Sequence, residues 1–321
     1  MNKVLEVKNL KTQFVTLRGV VKAVDGVSFH VEEGETLGIV GESGSGKSVT
    51  CTSILRLVPA PAGNIAAGEI ILNGTDLLSL TTKEMRKMRG SQVSMILQDP
   101  MTSLNPVYTV GNQVAEPIRI HQGLEKKSAW EKAKEILGLV KIPSPEVRLF
   151  EYPHQMSGGM RQRIVGAMAI SCQPRLLIAD EPTTALDVTI QSQFIGLLKE
   201  IQRDLNVSMI LVTHDLGIIA KICDRVAVMY AGKIIETATI RDIFNHPKHP
   251  YTRALLDSLP KLEQNLRRLP TIQGQPPDLA HLPVGCSFAP RCPEAMEKCL
   301  KEFPPEKNID DQHSLSCWLT A

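Results

Sequence analysis

Short, nearly unbroken apolar runs recur along the chain, each ending on polar or charged residues. Thr36-Leu-Gly-Ile-Val40, Leu176-Leu-Ile-Ala179 and Met209-Ile-Leu-Val212 have the length and composition of strands buried on both faces. Nearer the N-terminus the pattern becomes alternating, and Leu5 to Leu10 and Val24 to Val31 read as half-exposed antiparallel strands. Helical periodicity follows in Val49 to Leu57, Ser128 to Val140 and Ile164 to Ser171. Strands alternating with helices predict an α/β core whose ligands gather at the C-terminal ends of parallel strands. Residues 104–150 mix helical segments with breaks such as Lys141-Ile-Pro143-Ser-Pro145, and proline density rises again through Leu269 to Pro277, which predicts a boundary or an irregular segment.

Chemistry first appears after the run ending at Val40. Gly41-Glu-Ser43-Gly44-Ser45-Gly46-Lys47-Ser48 fits G-x-x-x-x-G-K-[ST], in the strand-before, helix-after setting that pattern requires. Backbone N–H groups of such a loop curl around an anion, and the following helix adds unpaired donors and the positive end of its dipole. Lys47 is expected to reach the β- and γ-phosphates and Ser48 to hold Mg²⁺.

A second anion-facing helix start is expected at Ser157-Gly158-Gly159-Met160. The run 176–179 then ends in Asp180-Glu181-Pro182, placing two carboxylates at a strand tip. Asp180 is expected beside Mg²⁺, and Glu181 polarises a water for attack on the γ-phosphate. The run ending at Val212 leads into Thr213-His214, which reaches the same edge.

These segments, with Leu97-Gln98-Asp99 and Ala185-Leu186-Asp187, stand in the order and spacing of ATP-binding cassette ATPases, which residues 1–250 resemble. The resemblance implies a P-loop cassette with a mixed sheet core, an antiparallel β subdomain and a helical subdomain at about 104–168, within a nucleotide-binding domain 1–258. It implies catalytic roles for Glu181, His214 and Gln98, with Mg²⁺ held by Ser48, Gln98 and Asp180. It further implies a head-to-tail dimer in which Ser157, Gly158, Gly159 and Asp187 contact the ATP of the opposite subunit. Phe14 is expected to stack on adenine, with Arg18 as the alternative and an ordinary strand role as a third reading. The chain departs from the family's pattern twice: Met160 replaces a glutamine, and Val49 replaces a threonine, leaving its backbone N–H for the phosphate.

Tyr152 to Arg163, Gln98 to Pro106 and His246 to Leu256 resemble more narrowly the ATPase subunits of dipeptide and oligopeptide importers, some relatives of which import nickel or other small solutes. That resemblance implies two membrane permease subunits, a homologous ATPase paired as a heterodimer, an extracytoplasmic solute-binding protein, and a peripheral location on the cytoplasmic face of the cell membrane. Met101, Leu104 and Tyr108 are expected to form an apolar contact surface for the permease. A soluble ATPase acting on ribosomes or DNA-repair intermediates is the alternative. Such proteins usually carry two cassettes or long insertions, whereas this sequence has one phosphate loop and no internal repeat.

Composition adds little that is specific. The 321 residues carry a formal net charge of +2, which argues against a surface evenly coated for nucleic acid, and no nucleic-acid partner is expected. No run approaches the ~20 apolar residues of a membrane helix, and the polar start does not resemble a signal peptide.

The last segment, 259–321, changes the picture. Cys286, Cys292, Cys299 and Cys317, four of seven cysteines, fall there with the spacing C-x5-C-x6-C-x17-C. Clustered cytosolic cysteines favour metal or catalytic roles over disulfides, and close C-x2-4-C pairs typical of zinc sites are missing. Wider spacing, with Pro293 after Cys292, suits a [4Fe–4S] cluster in a small irregular C-terminal four-cysteine domain; Zn²⁺ and unligated thiols are the alternatives. Cys51, Cys172 and Cys223 lie in apolar surroundings and are expected as buried small hydrophobes. Because the cysteines follow all the ATPase motifs, a chain shortened near residue 260 is expected to bind ATP.

Overall fold

The structure, a computed structural model, describes residues 2–184, 186–259, 271–310 and 312–320. Ala185 of the Ala-Leu-Asp segment, the side chain of Met101 and the boundary region 260–270 lie outside the described residues. In chain order the strands are β1 (Lys3–Thr16), β2 (Gly19–Glu32), β3 (Thr36–Val40), β4 (Gly63–Leu72), β5 (Thr75–Asp76), β6 (Val93–Ile96), β7 (Leu176–Asp180), β8 (Ser208–Val212), β9 (Arg225–Tyr230), β10 (Lys233–Thr239), β11 (Lys307–Asn308) and β12 (Ser314–Leu315). They fall into two compact units, one made of Met1–Leu5, Val31–Thr36 and Leu72–Val212, the other of Glu6–His30, Leu37–Ile71 and Thr213–Ala321.

In the first unit β6, β7 and β8 run parallel, with Val93 opposite Leu176, Ile96 opposite Ala179 and Asp180 opposite Val212. Every residue of β7 and β8 is buried, which is why these runs carry no polar alternation. The helix Val188–Leu205 turns Phe194, Ile195, Leu197, Leu198 and Ile201 inward, an apolar stripe at helical spacing. Farther out, helices Val110–Gln122 and Lys126–Leu139 approach closely at Gly111, where a Cβ would come within 2.9 Å of the Trp130 ring and 2.8 Å of the Leu149 carbonyl.

In the second unit β1 lies between β2 and β4. Beside this layer β3 and β9 are parallel, β10 returns antiparallel to β9, and the short strands β12 and β11 continue the sheet from the edge of β10. The C-terminal segment therefore extends the same sheet that carries the phosphate loop. Glu236 of β10 is fully buried and accepts from His313 Nε2 at 2.8 Å, Lys248 N at 2.7 Å and His249 N at 3.0 Å. Three donors make a buried carboxylate tolerable and pin β12 to β10.

Several elements differ from their expected limits. The two N-terminal strands are 14 residues each, because the polar halves left out of the hydrophobic pattern still pair. The first helix is Lys47–Ile54, ending before Arg56, whose φ of 50° cannot continue it. The helix whose periodicity shows from Ile164 starts at Gly158, at the expected Ser157 cap. Leu104 is buried rather than exposed, its apolar side chain packed into the fold, while Cys172 is half-exposed instead of buried. Among the described residues, no helix is long and apolar enough to cross a membrane.

Candidate nucleotide site

The phosphate loop connects β3 to the helix Lys47–Ile54. Its glycines are required by close approach: a Cβ at Gly41 would strike the Met229 carbonyl, and one at Gly46, where φ is 104°, the Ala23 carbonyl. Gly44 faces open space. Lys47 is buried and donates from Nζ to the carbonyls of Gly41 (2.8 Å) and Glu42 (3.0 Å), so its cation sits inside the curl of the loop. Ser43 lies on the same curl, Val49 follows in the helix, and Ser48 occupies its second position. The Ser45 hydroxyl is buried with no hydrogen-bond partner among the described residues. An orphaned donor beside a lysine and a helix start fits a phosphate. The Phe14 ring is half-buried and lies over Gly63, whose Cβ would approach its Cε1 to 2.6 Å.

In the first unit the ends of β6 and β7 bring Gln98 and the two carboxylates together. Asp180 is 5 % exposed at the tip of β7, and Glu181 N continues the ladder to Val212 O at 2.9 Å. Glu181 itself has φ 44°, unusual for a non-glycine residue, and its carboxylate accepts from Gln98 Nε2 at 2.9 Å and Thr184 Oγ1 at 3.1 Å. A carboxylate held from two sides in a strained turn is aimed, not free to rotate. The helix Gly158–Ile170 starts in the open: Ser157 and Gly158 are exposed, and the Ser157 side chain caps the helix by accepting from Met160 N at 3.3 Å. Gln162 from this helix donates to Pro182 O at 2.6 Å, tying it to the turn that carries Glu181. Asp187 caps Val188–Leu205 through Ile190 N at 3.0 Å.

His214 belongs to the second unit, exposed in the turn between Thr213, whose Oγ1 accepts from Asp215 N, and the helix Leu216–Ile222 that Asp215 caps. In the same unit Cys286, Cys292, Cys299 and Cys317 line one small pocket with His249, Phe288 and Trp318. None of the four is in a disulfide. Burial pushes Cys286 up to about 11 and raises Cys292 and Cys317, while it pushes His249 down to about 3, so it favours the neutral form of these four groups. Among the described residues, no group of three or more His, Cys, Asp or Glu is spaced to hold a metal ion. Of the expected four-cysteine centre the structure thus shows four cysteines around one pocket, and no metal site among the described residues.

Sequence reasoning passed over several residues that act here. Gln162 lies inside a quoted segment and Thr184 falls between two, neither with a role, and Glu42 of the phosphate loop is joined to Tyr251 and Arg291. Glu42 and Tyr251 stood inside the quoted segments 41–48 and 246–256, while Arg291 stood in none.

A strand-to-helix phosphate loop, a strand ending in paired carboxylates and a capped glycine helix start define an ATP-binding cassette. The family described as ABC transporter matches residues 24–184, and the chain belongs to it as an ATPase. A second family, described as Oligopeptide/dipeptide transporter, C-terminal region, matches residues 235–299. The chain is 54% identical to the Dipeptide transport ATP-binding protein DppD of Bacillus subtilis (strain 168), with 99% of this chain and 95% of the relative covered. It is 51% identical to the Oligopeptide transport ATP-binding protein OppD of the same organism, covering 99% and 89%. Among solved structures, the dimeric post-hydrolysis state of the ATP-binding cassette MJ0796 bound to ADP and Pi superposes with a TM-score of 0.66 at 25% identity, covering 74% of this chain and 99% of that one.

Proposed function

We propose that this chain is the ATP-hydrolysing, energy-coupling subunit of an importer of di- or oligopeptides. The observation that carries the reading is the near full-length likeness to peptide-transport ATP-binding proteins, which extends through the C-terminal region as well as the cassette. Lys47 and the loop N–H groups take the β- and γ-phosphates, Ser48, Asp180 and Gln98 hold Mg²⁺, and Glu181 orients the attacking water with His214 assisting. Phe14 stacks on the adenine. Ser157, Gly158, Gly159 and Asp187 act on the ATP of a second, homologous ATPase subunit. Their exposure suits a surface that a partner completes.

The peptide itself is handled elsewhere, by two permease subunits and an extracytoplasmic binding protein, with this chain peripheral on the cytoplasmic face of the membrane. Val107 and Tyr108 are 71% and 55% exposed, and Phe150 is 67% exposed. Val110 N donates to Glu151 O at 2.9 Å, so these apolar side chains come from adjoining segments and suit a permease contact. For the thiol pocket we favour a [4Fe–4S] cluster over Zn²⁺, since four cysteines line one pocket and their spacing along the sequence lacks the close pairs of a zinc site. Binding would require the thiols to lose protons that burial now retains.

Purification of the tagged chain from membranes tests the functional reading. Two integral membrane subunits and a homologous ATPase should co-purify, and peptide-loaded binding protein should raise ATP turnover. Recovery with ribosomes or DNA-repair proteins, and turnover indifferent to peptide, would overturn it.

A further inference from the structure

The second residue of the phosphate loop, Glu42, puts a negative charge on a loop that must receive a polyanion. The structure disposes of that charge. Arg291 grips the carboxylate with both arms, NH1 to Oε2 at 2.6 Å and NH2 to Oε1 at 3.0 Å. Its three other N–H donors go to Tyr230 Oη (3.2 Å), Ile272 O (3.3 Å) and Gln273 O (2.9 Å), so all five are used. The Arg291 side chain is only 4% exposed, and the pairing with Glu42 raises its already high pKa. Such a bidentate charge-assisted pair fixes geometry as well as charge.

The backbone of Glu42 is held too. Its N–H donates to the buried Tyr251 hydroxyl at 2.8 Å, and its carbonyl accepts from Lys47. Tyr251 stands in a wall of rings, 4.6 Å from Tyr230 and 5.3 Å from Phe288. Arg291 ends the short turn Ala289–Arg291, next to Cys292 of the thiol pocket. One loop residue is thereby anchored at N–H, carbonyl and carboxylate, two of the anchors coming from beyond residue 250.

We propose that Arg291 is a positioning residue of the ATPase: by cancelling the Glu42 charge and fixing the loop, it lets the C-terminal segment set the affinity for ATP. This rests on residues 41–48 being the ATP phosphate site.

The test is MgATP titration of the full-length chain by calorimetry, with thermal melting as a folding check. Wild-type protein should bind and Lys47→Ala should not; failure of the wild type to bind would overturn the ATP reading and the clamp with it. Arg291→Ala should bind about tenfold more weakly, because an uncompensated carboxylate is then left on the loop that receives the triphosphate. Glu42→Gln in that background should restore affinity to within about threefold of wild type, as a charge effect requires. A purely structural role for Arg291 would leave the double variant as weak as the single one. Unchanged binding by Arg291→Ala, or no rescue by Glu42→Gln, overturns the clamp while leaving the ATP site standing. If Arg291→Ala does not fold, Arg291→Gln replaces it: the charge is lost while the amide still fills the site, so a similar loss is expected, again rescued by Glu42→Gln, and the same two results overturn the proposal.

Discussion

At the scale of single residues, the strongest constraint is on Glu181. Its φ of 44° costs on the order of 1 kcal/mol, and the turn is held against that strain by the Val212 ladder bond and by Gln98 and Thr184 on the carboxylate. On the proposed role of Glu181, strain kept at the tip of a buried strand would aim the base. Glu181→Gln preserves the shape and an acceptor for Gln98 but removes the basic oxygen, so ATP affinity should hold while turnover falls about 10²- to 10⁴-fold. Parallel binding and single-turnover measurements would decide it, and turnover near wild type would move the base to another group. The placement of Lys47 at a helix start and of Asp180 and Glu181 at a strand tip was legible in the sequence, because local spacing and apolar runs define those positions. Glu42 and Arg291 were not, since their pairing spans 249 positions and neither residue departs from ordinary surface composition.

At the scale of elements, the helix Gly158–Ile170 carries a second lesson. Its apolar periodicity is visible only from Ile164, six residues inside, because Gly158 and Gly159 are poor helix formers, while Ser157 marks the start as a ready cap. The two glycines differ physically. A Cβ at Gly159 would come within 2.7 Å of Ile190 Cγ2, whereas one at Gly158 meets nothing within 4 Å. The fold of the chain does not need glycine at 158, so a requirement for it must come from outside the subunit. Gly158→Asp should therefore leave the nucleotide-free chain as stable or more stable, by about 0.5–1 kcal/mol, since an acidic residue suits a helix N-terminus and a glycine is removed. The same carboxylate would repel a phosphate brought by the opposite subunit and should abolish ATP turnover in the assembled complex. Full turnover in Gly158→Asp would contradict action in trans. The core strands were easier to read, because a parallel strand buried on both faces is a plain apolar run, while the polar halves of β1 and β2 and the two-residue strands β11 and β12 have no such pattern.

At the scale of the whole molecule, the C-terminal segment was expected to stand apart from nucleotide binding. Through β12 on β10, Glu236 with His313, and Arg291 with Glu42, it is instead built into the unit that holds the phosphate loop. ATP binding after truncation near 260 is accordingly no longer expected to match that of the full chain. The thiol pocket lies one peptide bond from the clamp, which gives its occupancy a readout besides metal content. Protein prepared without oxygen should be brown and hold about four irons per chain if the four cysteines carry a cluster. Cys292→Ser should lose the iron and also weaken MgATP binding in the direction of Arg291→Ala, because the turn that presents Arg291 ends at that cysteine. Cys172→Ser, half-exposed in the other unit, should change neither. Colourless protein with about one zinc would assign the pocket to a single ion, and iron loss in Cys292→Ser with wild-type ATP affinity would show that the cluster and the phosphate loop are uncoupled.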